Sequence, residues 1–561
     1  MKRELSALSD RRFQLAVVGG GVFGAAVARD AALRGLSVAL VEKADFMTAA
    51  SGNSYRMVHG GIRYLQHGDL RRVRASARER RILLATAPHL VAPLPIAIPT
   101  FGHGMQGRAV LRAGIAAYDL LTWDRNRDVR EPTRQIRTGR TISRREVERL
   151  FPGVEKSGMT GAGVFADAQL QHPQRLGIGM LESATRAGAA VANYAEATRV
   201  AVVSGRVEGL DVRDGLSGDA FRIEAEAVVV AAGAWSERLL GANTGIEIAE
   251  PSTFSRDLCL VVDRPAEEMG IAVLGGTSDP DAVFSRSRRH LFVVPWRGRS
   301  IVGVWHLPYD RSPDDIVVGE DELTSFLGEI NAGYPGLELE RSEVTHYNTG
   351  LVLFGRNRPG AEDLRYGHRS SVTDYGASDG VDGLYSLIGV RYTTARAEAE
   401  ALLDRIIDTR GWRATGCVTA SSPVPGGDID SLETLAREYR DRWPGLDSSD
   451  IDELLIDYGT EVPSVLEAEG SGEIASADVL HRTVRHAVRN EMAVRLEDVV
   501  VRRTSLGLFG PPPADVLRRA AGHMAEELAW NAERIADEID AVRHAYPLSS
   551  DHAELGVGVG A

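Results

Sequence analysis

The stretch Phe13-Gln14-Leu15-Ala16-Val17-Val18-Gly19-Gly20-Gly21-Val22-Phe23-Gly24 decides the fold. An apolar run enters a G-x-G-x-x-G turn, an Ala-rich helical stretch follows from Ala25 to Leu33, and a second apolar run from Ser37 to Val41 ends at Glu42. That order predicts a βαβ unit. Gly19 allows the tight turn, Gly21 lets backbone N–H groups approach a pyrophosphate, and Gly24 packs helix on strand. Glu42 is placed to accept from a ribose 2′-hydroxyl, and an acid there disfavours a 2′-phosphate, so the unit reads as a site for FAD or NAD rather than NADP. The chain holds a control for the motif. Gly102-His103-Gly104-Met105-Gln106-Gly107 matches the same pattern but follows a Pro-rich stretch and opens no βαβ unit, so it reads as loop.

Working outward, 561 residues is chain enough for two to four domains at roughly 150 residues each. A hydrophobic fraction of 43% and a charged fraction of 25% describe an ordinary globular protein. The net charge of −13 argues against nucleic acid as partner. Two cysteines, Cys259 and Cys417, are too few for a disulfide framework or a Cys-based metal site and point to a reducing compartment. Residues Met1 to Asp10 make a poor secretory signal, and no window of 18 apolar residues is free of charge.

Residues 45–410 mix strand-like segments (Val200 to Val203, Ala227 to Val230, Leu291 to Pro295) with helical ones (Leu111 to Leu121, Ala395 to Ile407), an α/β pattern. Residues 421–428, Ser-Ser-Pro-Val-Pro-Gly-Gly-Asp, read as a linker, and helical periodicity dominates afterwards, from Ala477 to Arg489 and from Pro513 to His544. No internal repeat is evident. The segment Ala227 to Ser236 is a buried strand closing in the small-residue turn Gly233-Ala234-Trp235, where a backbone can approach a ligand or simply turn. The arginines between Leu70 and Arg81 follow a helical pattern and read first as a solvated face paired with local acids, second as a membrane-surface contact. There is no H-E-x-x-H, Walker loop, G-x-S-x-G or clustered Cys/His spacing, so no metal site is expected.

Several segments in order resemble the FAD-dependent glycerol-3-phosphate dehydrogenases, the respiratory enzymes that reduce quinone, and their oxidase relatives. They are Gly19 to Gly24 with Asp30-Ala31-Ala32; His59-Gly60-Gly61-Ile62-Arg63-Tyr64-Leu65; Ala87-Pro88-His89-Leu90; Ala231 to Trp235; Phe292 to Trp296; and, near the end, Tyr458-Gly459-Thr460, Glu491 to Asp498 and Arg502-Arg503-Thr504. The resemblance implies FAD as cofactor, hydride transfer from C2 of glycerol 3-phosphate to flavin N5, and electrons passed to quinone or oxygen. His59 is the expected base, since an imidazole titrates near working pH, although a His before Gly-Gly can also merely brace a turn. Arg63 and Tyr64 resemble the family's phosphate contacts. Gly389-Val390-Arg391-Tyr392-Thr393-Thr394, just ahead of a helix, offers a cation and a helix N-terminus to the negative end of reduced flavin. Ser54, Gly60, Gly61, Gly233, Trp235, Gly389, Thr393 and Thr394 complete the expected cofactor contacts.

The departures from the family pattern bear on the substrate. Relatives carry Lys at Arg391; their Gly-Val-Arg-Pro is here Gly350-Leu351-Val352-Leu353; their Gly-Thr-Thr-Asp is Gly303-Val304-Trp305-His306. Arg356, Arg358 or Arg369 is the expected replacement for the missing cation, Arg369 above all. Asp167, in Phe165-Ala166-Asp167-Ala168-Gln169, reads as scaffold. The expected architecture is a Rossmann-like α/β FAD-binding domain, discontinuous over roughly 12–100, 150–245 and 345–412, with an interleaved α+β substrate-binding domain. A linker at 421–428, an all-α domain at 429–546 and a flexible tail at 547–561 follow. The expected setting is cytoplasmic, with peripheral contact on the inner face of the cell membrane and a homodimer entertained. The competing readings are a flavoenzyme for another hydroxy or amine substrate, and a non-catalytic FAD-binding protein.

Overall fold

The computed structural model describes the chain except residues 103, 105–106, 245, 247–251, 266–267, 279–287, 355–369, 469–473, 547 and 549–561. The opening unit is β1 (Arg12–Val18), α1 (Val22–Leu33) and β2 (Val38–Val41). Phe13, Ala16 and Val18 pack on one face of the sheet while Leu15 and Val17 pack on the other, which is why the run is apolar without alternation. β1 pairs in parallel with β2 and with the strand Ala220–Val230, which in turn pairs in parallel with Leu384–Ile388. The sheet order is Ser371–Asp374, Leu384–Ile388, Ala220–Val230, β1, β2 and Ala190–Ala192.

A second, mixed sheet runs Val344–Phe354, Thr253–Val262, Arg299–Tyr309, Arg288–Trp296, Gly270–Ser278, Val91–Phe101, Met159–Leu170 and Met57–Val58. Its strands alternate between two faces, with bulges that shift the register at Leu258/Leu260, Leu274/Ser278 and Thr100/Phe101. Leu258, Leu260, Val302, Leu291 and Val293 join the buried face of the helix Glu320–Gly333, namely Leu323, Phe326, Leu327 and Ile330, in one core. The residues between them, Asp257 and Cys259, Val304 and His306, His290 and Phe292, with Phe165 and Asp167 further along, face a cavity instead.

Past residue 430 the chain is helical: Leu432–Arg442, Ser448–Tyr458, Val462–Leu466, Ser476–Asn490, Ala514–Leu528 and Ala532–His544. The periodic run from Pro513 to His544 is two helices, because Ala529 turns to φ 54° between them. The expected linker carries no helix or strand but is bound down: Val424 is buried and its N–H donates to the Thr86 carbonyl over 3.0 Å. The helical part is fastened by buried charge. Asp45, just past β2, accepts from Arg502 and twice from Arg503 at 2.6–2.7 Å; Arg175 reaches Glu491 over 2.5 Å; His172 Nδ1 lies 2.7 Å from Asp457. Of the tail, residues 549–561 lie outside the described residues.

Candidate active site

Three parallel strands deliver three turns to one sheet edge: β1 runs on into Gly19, Ala220–Val230 into Ala231, and Leu384–Ile388 into Gly389. Ligands of open α/β sheets bind at this edge. Gly19 has φ +108°, and a Cβ there would stand 2.6 Å from the Ala231 carbonyl oxygen, so only glycine lets the two turns meet. A Cβ on Gly389 would strike the Phe23 ring at 1.8 Å, which ties the third turn to the first. Glu42 is half-buried just past β2 and accepts from the N–H of Gly20 at 2.6 Å and of Ala44 at 2.9 Å. Burial raises its pKa, and those backbone bonds work against the rise.

The turns open on a cavity of about 1290 Å³ whose far wall is the alternating face of the second sheet. His59 stands in it with its side chain 52% exposed. The peptide N–H of His59 donates to Thr393 Oγ1 over 3.0 Å, and Nδ1 lies 3.3 Å from Asp167 Oδ2. Asp167 also accepts from Gly60 N–H at 2.6 Å and from the fully buried Arg80 at 3.2 Å. Burial alone would raise the Asp167 pKa, but the contacts with His59, Arg80 and Gly60 N–H bring it below the usual carboxylate value. Arg391 donates to Tyr64 Oη over 2.6 Å, with its guanidinium 5.2 Å from the ring centroid. At the rim, Trp235 Nε1 donates to Asp314 over 2.6 Å beneath the Lys43 ammonium, 4.2 Å from its ring.

Of the expected residues, Gly19, Gly21, Glu42, Ser54, His59, Gly61, Arg63, Tyr64, Gly233, Trp235, Gly389, Arg391 and Thr393 all line this one cavity. Gly24, Gly60 and Thr394 do not. Gly24 packs on Gly19, where a Cβ would come within 1.9 Å of the carbonyl oxygen; Gly60 is pinned between Arg80 and Tyr118; Thr394 Oγ1 turns to Glu398 at 2.6 Å. Asp167 is corrected from scaffold to cavity wall, since it is the carboxylate that braces His59. Arg80, in the arginine-rich segment, is likewise not solvated but buried beneath that carboxylate, while Arg74 and Arg81 pair with Asp124 as a solvated face would. A sequence signal for Asp167 existed only in its lone acid amid the apolar strand Met159–Leu170. Arg356, Arg358 and Arg369 lie outside the described residues.

The cradle fits FAD: a glycine-only approach of two turns, a half-buried acid just past β2, and a cavity that also holds a His, an Arg and an Arg–Tyr pair. A family model described as "FAD dependent oxidoreductase" matches residues 14–389, and one described as "C-terminal domain of alpha-glycerophosphate oxidase" matches residues 417–535. The chain is an FAD-dependent oxidoreductase. It is 31% identical to a glycerol-3-phosphate dehydrogenase of Synechocystis over 90% of this chain and 91% of that one. It is 27% identical to the human mitochondrial glycerol-3-phosphate dehydrogenase over 96% of this chain and 74% of that one. A solved glycerol-3-phosphate dehydrogenase from Bacillus halodurans, complexed with FAD, superposes with a TM-score of 0.72 at 21% identity, over 97% of this chain and 96% of that one. The chain belongs to the glycerol-3-phosphate dehydrogenase family.

Proposed function

We propose that the chain oxidises sn-glycerol 3-phosphate to dihydroxyacetone phosphate and passes the electrons to a quinone. The observation that carries this reading is the meeting, in one cavity, of the glycine turn, the His59–Asp167 pair and the cations Arg63 and Arg391. Bound FAD supplies a two-electron acceptor that takes the C2 hydride. Gly19, Gly21, Glu42, Ser54, Gly61, Gly233, Trp235, Gly389 and Thr393 would hold it. His59 accepts the hydroxyl proton, and Asp167 orients its ring and stabilises the imidazolium that results. Arg63, Tyr64 and Arg391 bind the phosphate, a dianion near neutral pH. The second sheet is the substrate-binding part, although its strands Met57–Val58, Val91–Phe101, Met159–Leu170 and Val344–Phe354 come from segments expected in the FAD-binding domain, and the charge network around Asp45 anchors the helical part. Anaerobic addition of glycerol 3-phosphate should bleach the flavin, and quinone should restore it faster than oxygen does.

One observation favours a second reading, a different small hydroxy or amine substrate. Among the described residues, the cavity wall from Asn348 to Val352, where the family pattern places an Arg, carries no cation. Bleaching by a panel of hydroxy acids or amines, with none by glycerol 3-phosphate, would establish it.

Peripheral membrane contact is supported by the helix Arg108–Leu121. Leu120 near its end and Trp123 just past it are each 75% exposed, and Arg108 and Arg112 in its first turns are exposed as well. A helix that presents both apolar anchors and cations suits an anionic lipid surface. Among the described residues no helix is long and apolar enough to cross a membrane.

A further inference from the structure

At the rim of the cavity a loop of the second sheet crosses to the FAD-binding part. Residues 310–319 join the strand Arg299–Tyr309 to the helix Glu320–Gly333. Both ends of this loop are fixed on their own side: Tyr309 Oη donates to the Ser312 carbonyl over 2.9 Å, while buried Arg256 donates to the Val317 carbonyl and pairs with Glu322. Between those anchors the Ser312 carbonyl accepts from Asp315 N–H at 3.0 Å, and Ser312 Oγ accepts from Asp314 N–H at 3.2 Å. The turn presents the Asp314 carboxylate to the other part of the chain. Three donors converge on it there: Trp235 Nε1 at 2.6 Å and Lys43 Nζ at 3.3 Å on Oδ1, and Arg238 Nη1 at 2.5 Å on Oδ2. Lys43, Trp235 and Arg238 line the cavity, and so does Ile316, two residues past Asp314. The loop is therefore both cavity wall and fastening.

We propose that residues 310–319 form a strap that retains FAD in its cradle, with Asp314 as the clasp. The proposal rests on the FAD cradle described above and is independent of which substrate is oxidised. Glu42 marks the ribose end of the cradle, and the clasp closes beside it because Lys43 is the next residue in the chain. Lifting the strap breaks the charge-assisted bond from Arg238 and the bond from the Trp235 indole together, since both end on one carboxylate. The Lys43 ammonium, 4.2 Å from the Trp235 ring centroid, steadies the indole for that bond. Asp314, Lys43 and Arg238 are all partly solvated, so each pair alone is weak. The clasp works by convergence, and salt loosens it. The strap sets how fast the cofactor leaves and has no part in moving the hydride.

The test is the rate at which the diluted holoenzyme releases FAD, followed by the fluorescence of free flavin with no substrate present. Asp314→Ala removes the clasp, Asp314→Lys sets a like charge against Lys43 and Arg238, and Asp310→Ala, an exposed acid on the same loop, is the control. Release should be about tenfold faster in Asp314→Ala, faster again in Asp314→Lys, and unchanged in Asp310→Ala. Raising KCl from about 0.1 to 1 M shortens the screening length from about 10 to 3 Å, so release should quicken in the parent and much less in Asp314→Ala. Bleaching by glycerol 3-phosphate in freshly loaded Asp314→Ala should stay within about twofold of the parent. FAD release within about twofold of the parent in both Asp314 variants would overturn the strap, and a surface ion pair that only stabilises the fold would give that result with a lowered Tm. Slower bleaching or an altered KM at unchanged FAD release would overturn it as well, because the loop would then serve the substrate. If glycerol 3-phosphate fails to reduce the parent flavin, the functional reading falls, while FAD release still decides the strap on its own.

Discussion

At the scale of single residues, His59 and His306, two of the four described histidines that line the cavity, differ in their settings. His59 is half exposed, hydrogen-bonded through its backbone to Thr393, and braced by a carboxylate that Arg80 holds from below. That arrangement suits a base: the ring can meet a substrate hydroxyl, and the charge it gains is balanced by Asp167. General acid–base groups contribute about 10² to 10⁴ in rate. His59→Gln should therefore lower kcat by about that factor with a smaller change in KM, measured as the rate of anaerobic flavin bleaching. Asp167→Asn should slow the same step while leaving flavin bound, because Asp167 contacts the imidazole. His59 was marked in the sequence by the family resemblance of His-Gly-Gly-x-Arg-Tyr, a pattern that by itself would equally suit a His bracing a turn. Its brace was not: Asp167 lies 108 residues further on and meets His59 only through the pairing of Met57–Val58 with Met159–Leu170. Asp257 and His306, whose Nδ1 lies 2.6 Å from Asp257 Oδ1, were hidden for the same reason, since strand register sets their contact.

At the scale of elements, the βαβ unit was readable because its signal is local: an apolar strand, glycines at fixed spacing, a helix and an acid lie within 30 residues, Phe13 to Glu42. The glycines impose a sharp requirement. A methyl group on Gly24 would come within 1.9 Å of the Gly19 carbonyl oxygen and force α1 off β1. Gly24→Ala should consequently purify with little or no flavin, read from the ratio of flavin to protein absorbance. The exposed end of the helix Arg108–Leu121 carries a second prediction. Leu120→Ser with Trp123→Ser should reduce cosedimentation with anionic vesicles severalfold and leave bleaching by glycerol 3-phosphate as it was, because both side chains point to solvent. The break at Ala529 escaped periodicity because alanine is a strong helix former, and its left-handed conformation is imposed by the return of the next helix.

At the scale of the whole molecule, net charge proved a poor guide to where charge matters. The molecule is acidic overall, yet the helical part is held by buried arginines on buried acids. Burial alone would raise the Asp45 pKa, but Arg503 and Arg502 overcome it and hold the group below its ordinary value near 3.8. Asp457 and Glu491 are lowered too, by His172 and Arg175 respectively, against the same opposing burial. A carboxylate lowered in the folded state adds stability above its unfolded pKa and loses it as pH falls through the folded one. Asp498 has the opposite sign: burial and then Asp45 push it up to about 6, so it costs stability as pH rises from about 4 to 6. Below about pH 4 the first three dominate, and the urea midpoint should drop steeply there. Asp45→Asn leaves Arg502 and Arg503 short of their buried partner and should cost about 3–5 kcal/mol, with a shallower acid limb. Such a network gathers residues from both ends of the chain, Asp45 with Arg502 and Arg503, so sequence motifs mark its members without revealing that they meet.

The central claim is that one cavity couples the FAD cradle to oxidation of glycerol 3-phosphate through His59. Anaerobic mixing of the purified holoenzyme with glycerol 3-phosphate tests it most directly. The account predicts full bleaching of the flavin in the parent protein, slowed about 10² to 10⁴ in His59→Gln. An unbleached flavin at saturating glycerol 3-phosphate, or equal bleaching rates in parent and His59→Gln, would contradict it.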